Sequence, residues 1–156
     1  MQLRPEHVSL LVDDRALIVG TVSAEGVPRA TRGWGTTIVP GESEFRLLLD
    51  ADDETTLENL RATGAIAVTG ACVRTLRSVQ VKGRVRSIET PTALDLAMAD
   101  RHAAMMFLAI EETDGTPCEI GHRLVPADFV VCLVDAHVLF DQTPGPAAGA
   151  HVEAGV

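Results

Sequence analysis

Apolar and polar positions alternate most regularly between Ser78 and Glu89. Val79, Val81, Gly83 and Val85 fall on one side there, and Gln80, Lys82, Arg84 and Arg86 on the other. A period of two is that of a strand with one face buried. Residues 16–22 form a shorter continuous run, Ala-Leu-Ile-Val-Gly-Thr-Val, followed by Ser23-Ala24-Glu25-Gly26, where Gly26 is free to take positive φ. A second extended stretch runs from Val27 to about Val39 and stops at Pro40-Gly41-Glu42, and Phe45 to Leu49 is a third. Turns this tight join only antiparallel neighbours, so the chain opens as a meander. Residues 65–71 and Phe129 to Phe140 complete a set of six strands. The last is apolar almost throughout and is expected to be covered on both faces.

Two helices interrupt the strands. Thr55 and Glu58 have the spacing of a capping box, Leu57, Leu60 and Arg61 follow, and Gly64 is placed to close the helix in a left-handed conformation. Pro91 to about Glu111 reads as a longer helix, with Pro91 in its first turn and Leu94, Met98, Met105 and Leu108 along one side. Asp114-Gly115-Thr116-Pro117 breaks it, and a short helical piece is expected over 118–124. The pattern predicts a mainly β (α+β) protein: a six-stranded antiparallel split β-barrel with two flanking helices. Residues 1–142 make its one domain. Residues 143–156, rich in Gly, Ala and Pro, form a flexible C-terminal tail.

Composition narrows the chemistry. Hydrophobic residues make up 46% of the 156, but aromatics only 3% with no tyrosine, so the core must be aliphatic. Few rings and a net charge of -9 argue against nucleic acid, which needs a basic groove and stacking platforms. Yet Arg61, Arg74, Arg77, Lys82, Arg84 and Arg86 follow one another without an intervening carboxylate, a local inversion suited to clamping one small anion. The alternative is a solvated strand face that happens to be basic. No apolar run is long enough to span a bilayer and the first residues lack a signal-peptide core, so a cytoplasmic location without membrane contact is expected. Cys72, Cys118 and Cys132 are odd in number and widely spaced, which fits buried thiols in a reducing compartment. Cys118 and His122 lie four apart, but a lone pair falls short of a zinc signature and no metal site is expected. His137 reads as a core or interface histidine. No nucleophile elbow, P-loop or dinucleotide fingerprint is present, and no acid–base pair identifies catalytic residues.

Three stretches carry a resemblance. They are Gly20-Thr21-Val22-Ser23-Ala24-Glu25-Gly26-Val27-Pro28-Arg29, then Thr56-Leu57-Glu58-Asn59-Leu60, then Arg77-Ser78-Val79-Gln80-Val81-Lys82-Gly83-Arg84-Val85. In this order, over roughly residues 8–141, the chain resembles the pyridoxamine 5'-phosphate oxidase-like family of FMN-binding split barrels. The resemblance implies a homodimer with FMN in two clefts at the subunit interface, acting on a small-molecule substrate by hydride transfer. It places Arg32, Gly33, Trp34, Gly35 and Thr36 along the flavin ring and Thr55 and Thr56 at the phosphate. Ser78 and Lys82 of the facing strand go to the ring or phosphate. The family commonly carries Ser-Arg-Lys before the phosphate-loop helix, where this chain has Glu54-Thr55-Thr56 preceded by Asp50, Asp52 and Asp53. That acidic loop favours an alternative: a non-catalytic dimeric split-barrel module that binds another small anion, a deazaflavin or haem.

Overall fold

A computed structural model describes residues 1–152. Its strands are β1 (Arg15–Val22), β2 (Pro28–Gly33), β3 (Thr36–Ile38), β4 (Glu44–Asp50), β5 (Ala65–Cys72), β6 (Ser78–Glu89) and β7 (Phe129–Asp141). The helices are α1 (Pro5–Val8), α2 (Glu54–Thr63), α3 (Ala93–Asp114) and α4 (Cys118–His122). One antiparallel sheet holds all seven strands in the order β2-β1-β5-β6-β7-β4-β3. Its two edges, β2 and β3, are consecutive pieces of one extended stretch, so the sheet curls until the edges meet. The extra strand relative to the six expected arises at Gly35, whose φ of +136° lets the chain turn away from β1 and toward β4. There the Trp34 N–H donates to Leu48 O at 2.9 Å, and the Leu48 N–H donates to Gly35 O at 3.0 Å.

The alternation read from sequence fills the interior. Leu17, Val19, Phe45, Leu47, Ile66, Val68, Val79, Val81, Val134 and Leu139 pack inside the curl, and Leu3, Leu10 and Leu11 around α1 join them. A second cluster lies outside the curl, where α3 covers Trp34, Leu48 and Val131 with Ala99, Ala103, Met106 and Phe107. β4 is thus covered on both faces. β7 alternates instead: His137 on it is exposed, a correction to the continuous burial expected there.

Helix α3 begins with a capping box between Thr92 and Asp95, and Asp95 also takes two hydrogen bonds from Arg46 at 2.9 and 2.8 Å. That anchor fixes the rotation of the helix. Its buried side is therefore Asp95, Ala99, His102, Ala103, Met106 and Phe107, while Leu94 and Leu108 are 67% and 50% exposed. The apolar stripe through Leu94 and Leu108 expected from sequence is corrected accordingly. Gly64 caps α2 in the left-handed conformation as expected, but the N-cap is Asp53, two residues before Thr55. At the C-terminus the chain turns back on β7. Asp141 N–H donates to Ala150 O at 2.9 Å, Val152 N–H donates to Leu139 O at 2.9 Å, and the His151 ring meets Phe140 edge-on. Residues 153–156 of the tail expected over 143–156 lie outside the described residues.

Candidate functional site

A cavity of about 500 Å3 opens at the N-terminus of α2, lined by Arg29 and Thr31 of β2, Asp50 at the end of β4, Asp52 and Asp53 of the loop, and Glu54 and Thr55 of α2. Helix α2 is held here by polar contacts. Asn59 donates to the Thr21 hydroxyl at 3.1 Å, and the Thr63 hydroxyl donates to Val22 O at 3.1 Å. The first turn is closed by Asp53, whose carboxylate accepts from the Thr56 N–H at 3.2 Å and from the Thr56 hydroxyl at 2.8 Å. Arg29 completes the grip: its Nη2 lies 2.8 Å from Asp53 Oδ1 and its Nε donates to Thr56 Oγ1 at 3.1 Å. Burial pushes the Asp53 carboxyl up, but hydrogen bonds from Thr56, Thr31 and Arg29 outweigh it and leave the group below the usual carboxylate range. Helix N-terminus, hydroxyls and arginine are the parts of an anion site, and the anion they hold is the chain's own carboxylate. Asp50 is also occupied by the loop, accepting from the Asp52 N–H at 2.9 Å.

The segment expected to run along a cofactor ring is largely enclosed within one chain. A Cβ on Gly33 would point into the core, 3.0 Å from Leu17 Cβ. Trp34 is 5% exposed beneath α3, and Gly35 faces Met98 O and the His102 Cβ. Thr36 is buried with its hydroxyl donated to Leu11 O. Arg32 alone reaches outward, toward α3 and α4. Thr55 lines the α2 cavity, while Thr56 is fully buried behind it. Ser78 belongs to a second cavity of about 430 Å3 with Arg77, His7, Asp141 and Thr143, where its N–H donates to Thr143 Oγ1 at 3.1 Å. Lys82 lies on the outer face of β6 with its ammonium 4.9 Å from the Phe140 ring centroid. Within one chain, then, Thr55, Thr56 and the Arg32–Thr36 segment are neighbours through β2, and Ser78 and Lys82 stand apart from them. Arg29 and Thr31 were missed in the sequence. Counting back in twos from Gly33 puts both on one face of β2, which is the signal that identifies them.

The basic run disperses. Arg74 pairs with Asp14 and with Glu112, and Arg77 and Lys82 go to the places just described. Arg61, Arg84 and Arg86 converge on a cleft of about 530 Å3 at the other end of α2. Arg84 spends one N–H on Thr63 O at 3.1 Å, a helix-terminal carbonyl, and Arg86 lies 3.3 Å from Asp135. Cys118 donates to Glu111 at 2.8 Å, and His122 packs edge-on against Phe107. Among the described residues no three His, Cys, Asp or Glu side chains are grouped to hold a metal. No helix among them is long and apolar enough to cross a membrane.

The family model for pyridoxamine 5'-phosphate oxidase matches residues 3–123. Comparison with curated proteins finds no match. Among solved structures, an F420 reductase is 19% identical with a TM-score of 0.59, the match covering 88% of this chain and 98% of that one. A pyridoxamine 5'-phosphate oxidase-related, FMN-binding protein from Nostoc punctiforme is 14% identical with a TM-score of 0.51, covering 94% of this chain and 89% of that one. The haem storage protein HutZ from Vibrio cholerae is 15% identical with a TM-score of 0.50, covering 90% and 95%. At these identities the likeness is one of fold.

Proposed function

As the chain belongs to the pyridoxamine 5'-phosphate oxidase family, we propose that it is a dimeric split-barrel module that binds a small organic anion without retaining FMN through the phosphate loop. The observation that carries this reading is Asp53. The residues present do not fit a flavin phosphate: Arg29 is the one cation lining the α2 cavity, and four carboxylates line it too. Each like-charge pair at about 4 Å costs roughly 1 kcal/mol in water and about 4 kcal/mol where the effective dielectric is near 20. Asp53 already occupies the helix N-terminus, so a phosphate would have to displace it from Arg29 and Thr56. The fold itself is neutral on the ligand, since similar structures are named for F420, FMN and haem.

Dimerisation is supported by an outer sheet face with little charge. The register sets Ile18, Thr69, Gln80 and Phe140 in one row across β1, β5, β6 and β7, and Gly20, Ala67, Lys82 and Val138 in the next. Small and apolar side chains in two level rows make a flat surface that a second copy can cover. Lys82 is the one charged residue in those rows.

A second reading, an oxidoreductase using a flavin or deazaflavin on a small molecule, is favoured by Arg29 and the α2 N-terminus facing the same cavity. The absorption spectrum of the purified protein separates the two. The proposed reading expects no flavin band at stoichiometric strength. A protein that purifies yellow, with one flavin per chain, overturns it.

A further inference from the structure

Among the described residues, the other strand arginines each meet a carboxylate or, for Arg84, a helix-terminal carbonyl, and Arg32 meets neither. Arg15 contacts Asp14, Arg29 contacts Asp53, and Arg46 contacts Asp95. Arg32 is half-buried and has no carboxylate partner among the described residues. Its Nη1 meets Met106 Sδ at 3.5 Å, and its guanidinium carbon lies 5.9 Å from the Trp34 ring centroid. A guanidinium cannot escape burial by losing its proton. A sulfur and a ring face soften its desolvation but satisfy few of its five N–H donors.

What Arg32 faces is a cavity of about 180 Å3, walled by Phe107 and Ile110 of α3 and Ile120 of α4, with Thr116 and Leu124 beside them. No carboxylate among the described residues lines it. Helix α4 is seated tightly against α3 there, since a Cβ on Gly121 would come within 2.2 Å of Phe107 Cδ1. Ile120 and Leu124 stay 51% and 63% exposed. The cavity holds the equivalent of about six waters, well below the size of a drug-sized pocket, so it suits a single ring or a short chain. The walls are hydrocarbon, and one forked donor offers two parallel N–H groups, the geometry that a carboxylate accepts. A phosphate brings more oxygens and charge than Arg32 and the Thr116 hydroxyl can satisfy.

We infer that this cavity is a binding site for a small monocarboxylate with an apolar body, its carboxylate on Arg32 and its hydrocarbon against Phe107 and Ile110. This gives a place and a chemical class to the small organic anion of the reading above and rests on that reading. It fails separately, because flavin retention is judged at Asp53 and this site at Arg32.

The chain has one tryptophan and no tyrosine, so Trp34 emission reports on its neighbour Arg32. Benzoate and hexanoate are titrated against the purified protein, with benzamide, hexanol and inorganic phosphate as controls, and the methyl signals of Ile110 and Ile120 are followed in parallel. The expected result is a saturable change with an acid, methyl shifts at both isoleucines, and at least tenfold weaker acid binding in Arg32→Gln. Ile120→Glu alters an exposed position and leaves Arg32 in place, so it should fold. It should weaken the acids likewise and spare benzamide. The inference is overturned if neither acid binds, if both variants bind the acids as the unaltered protein does, or if phosphate or the neutral analogues bind as well as the acids.

Discussion

Asp95 and His102 sit on the same buried side of α3, and both favour their deprotonated forms, each over its own pH range. The Arg46 guanidinium holds the Asp95 carboxyl far below the usual carboxylate range, assisted by Thr92 and opposed by burial. A depressed carboxyl stabilises the fold above its unfolded value near 3.9, and that contribution is lost as pH falls through the folded value. Asp95→Ala removes both the α3 cap and the partner of Arg46. It should cost about 3 kcal/mol or more in urea unfolding at neutral pH, and Asp95→Asn should flatten the acid limb below about pH 4. His102 differs. It is 2% exposed, neither ring nitrogen makes a well-formed hydrogen bond among the described residues, and burial pushes its pKa down to about 4, with the Asp13 backbone and the Asp13 and Asp14 charges opposing the shift and Arg32 adding to it. The unfolded chain binds the extra proton between about pH 6.5 and the folded value, so stability should drop by about 3 kcal/mol as pH is lowered across that window. His102→Leu gives up at most the contact with the Asp13 backbone and should remove most of that slope. A slope unchanged in the leucine variant would contradict the assignment.

Elements were legible in the sequence where a local rule decides them. Gly64 could be named as a left-handed cap because only backbone conformation is at stake, and β6 because its alternation is strict. The buried face of α3 was not legible, since its rotation is set by Asp95 reaching Arg46 on β4, a contact 49 residues away. The break at Gly35 depends likewise on which strand it pairs with. The pattern of Thr55 and Glu58 points to a cap of α2 at Thr55. Asp53 wins because it reaches Arg29 as well as the helix. Two glycines show how tightly the elements are fitted. A Cβ on Gly70 would lie 1.9 Å from Leu10 O, and one on Gly83 2.0 Å from Asp135 O, whereas on Gly20 the nearest atom is 3.7 Å away. Gly70→Ala and Gly83→Ala should each cost about 3 kcal/mol by denaturant unfolding, because backbone must move. Gly20→Ala should cost about 1 kcal/mol or less, and equal losses at all three would refute the packing argument.

At the scale of the whole molecule, the acidic chain with a basic run turns out to be a set of separate arrangements. Arg74 ties the β5–β6 turn to α3, Lys82 lies on an aromatic ring, and three arginines frame a cleft at the end of α2. The outer sheet face is the surface on which two copies are expected to meet. Ala67→Arg, in the middle of its second row, should convert a dimer to a monomer by light scattering while leaving the circular dichroism of the fold intact. Monomeric wild-type protein at about 100 μM would contradict the proposed interface.

The most direct test concerns Asp53 at the N-terminus of α2, where the proposed reading has it standing in for a flavin phosphate. FMN fluorescence quenching is measured with the wild-type protein and with Asp53→Ser, in which serine still caps α2 but Arg29 is released. The account expects little binding by the wild type and at least tenfold tighter binding by the variant. Tight FMN binding by the wild type, or no gain in a well-folded Asp53→Ser, would contradict it.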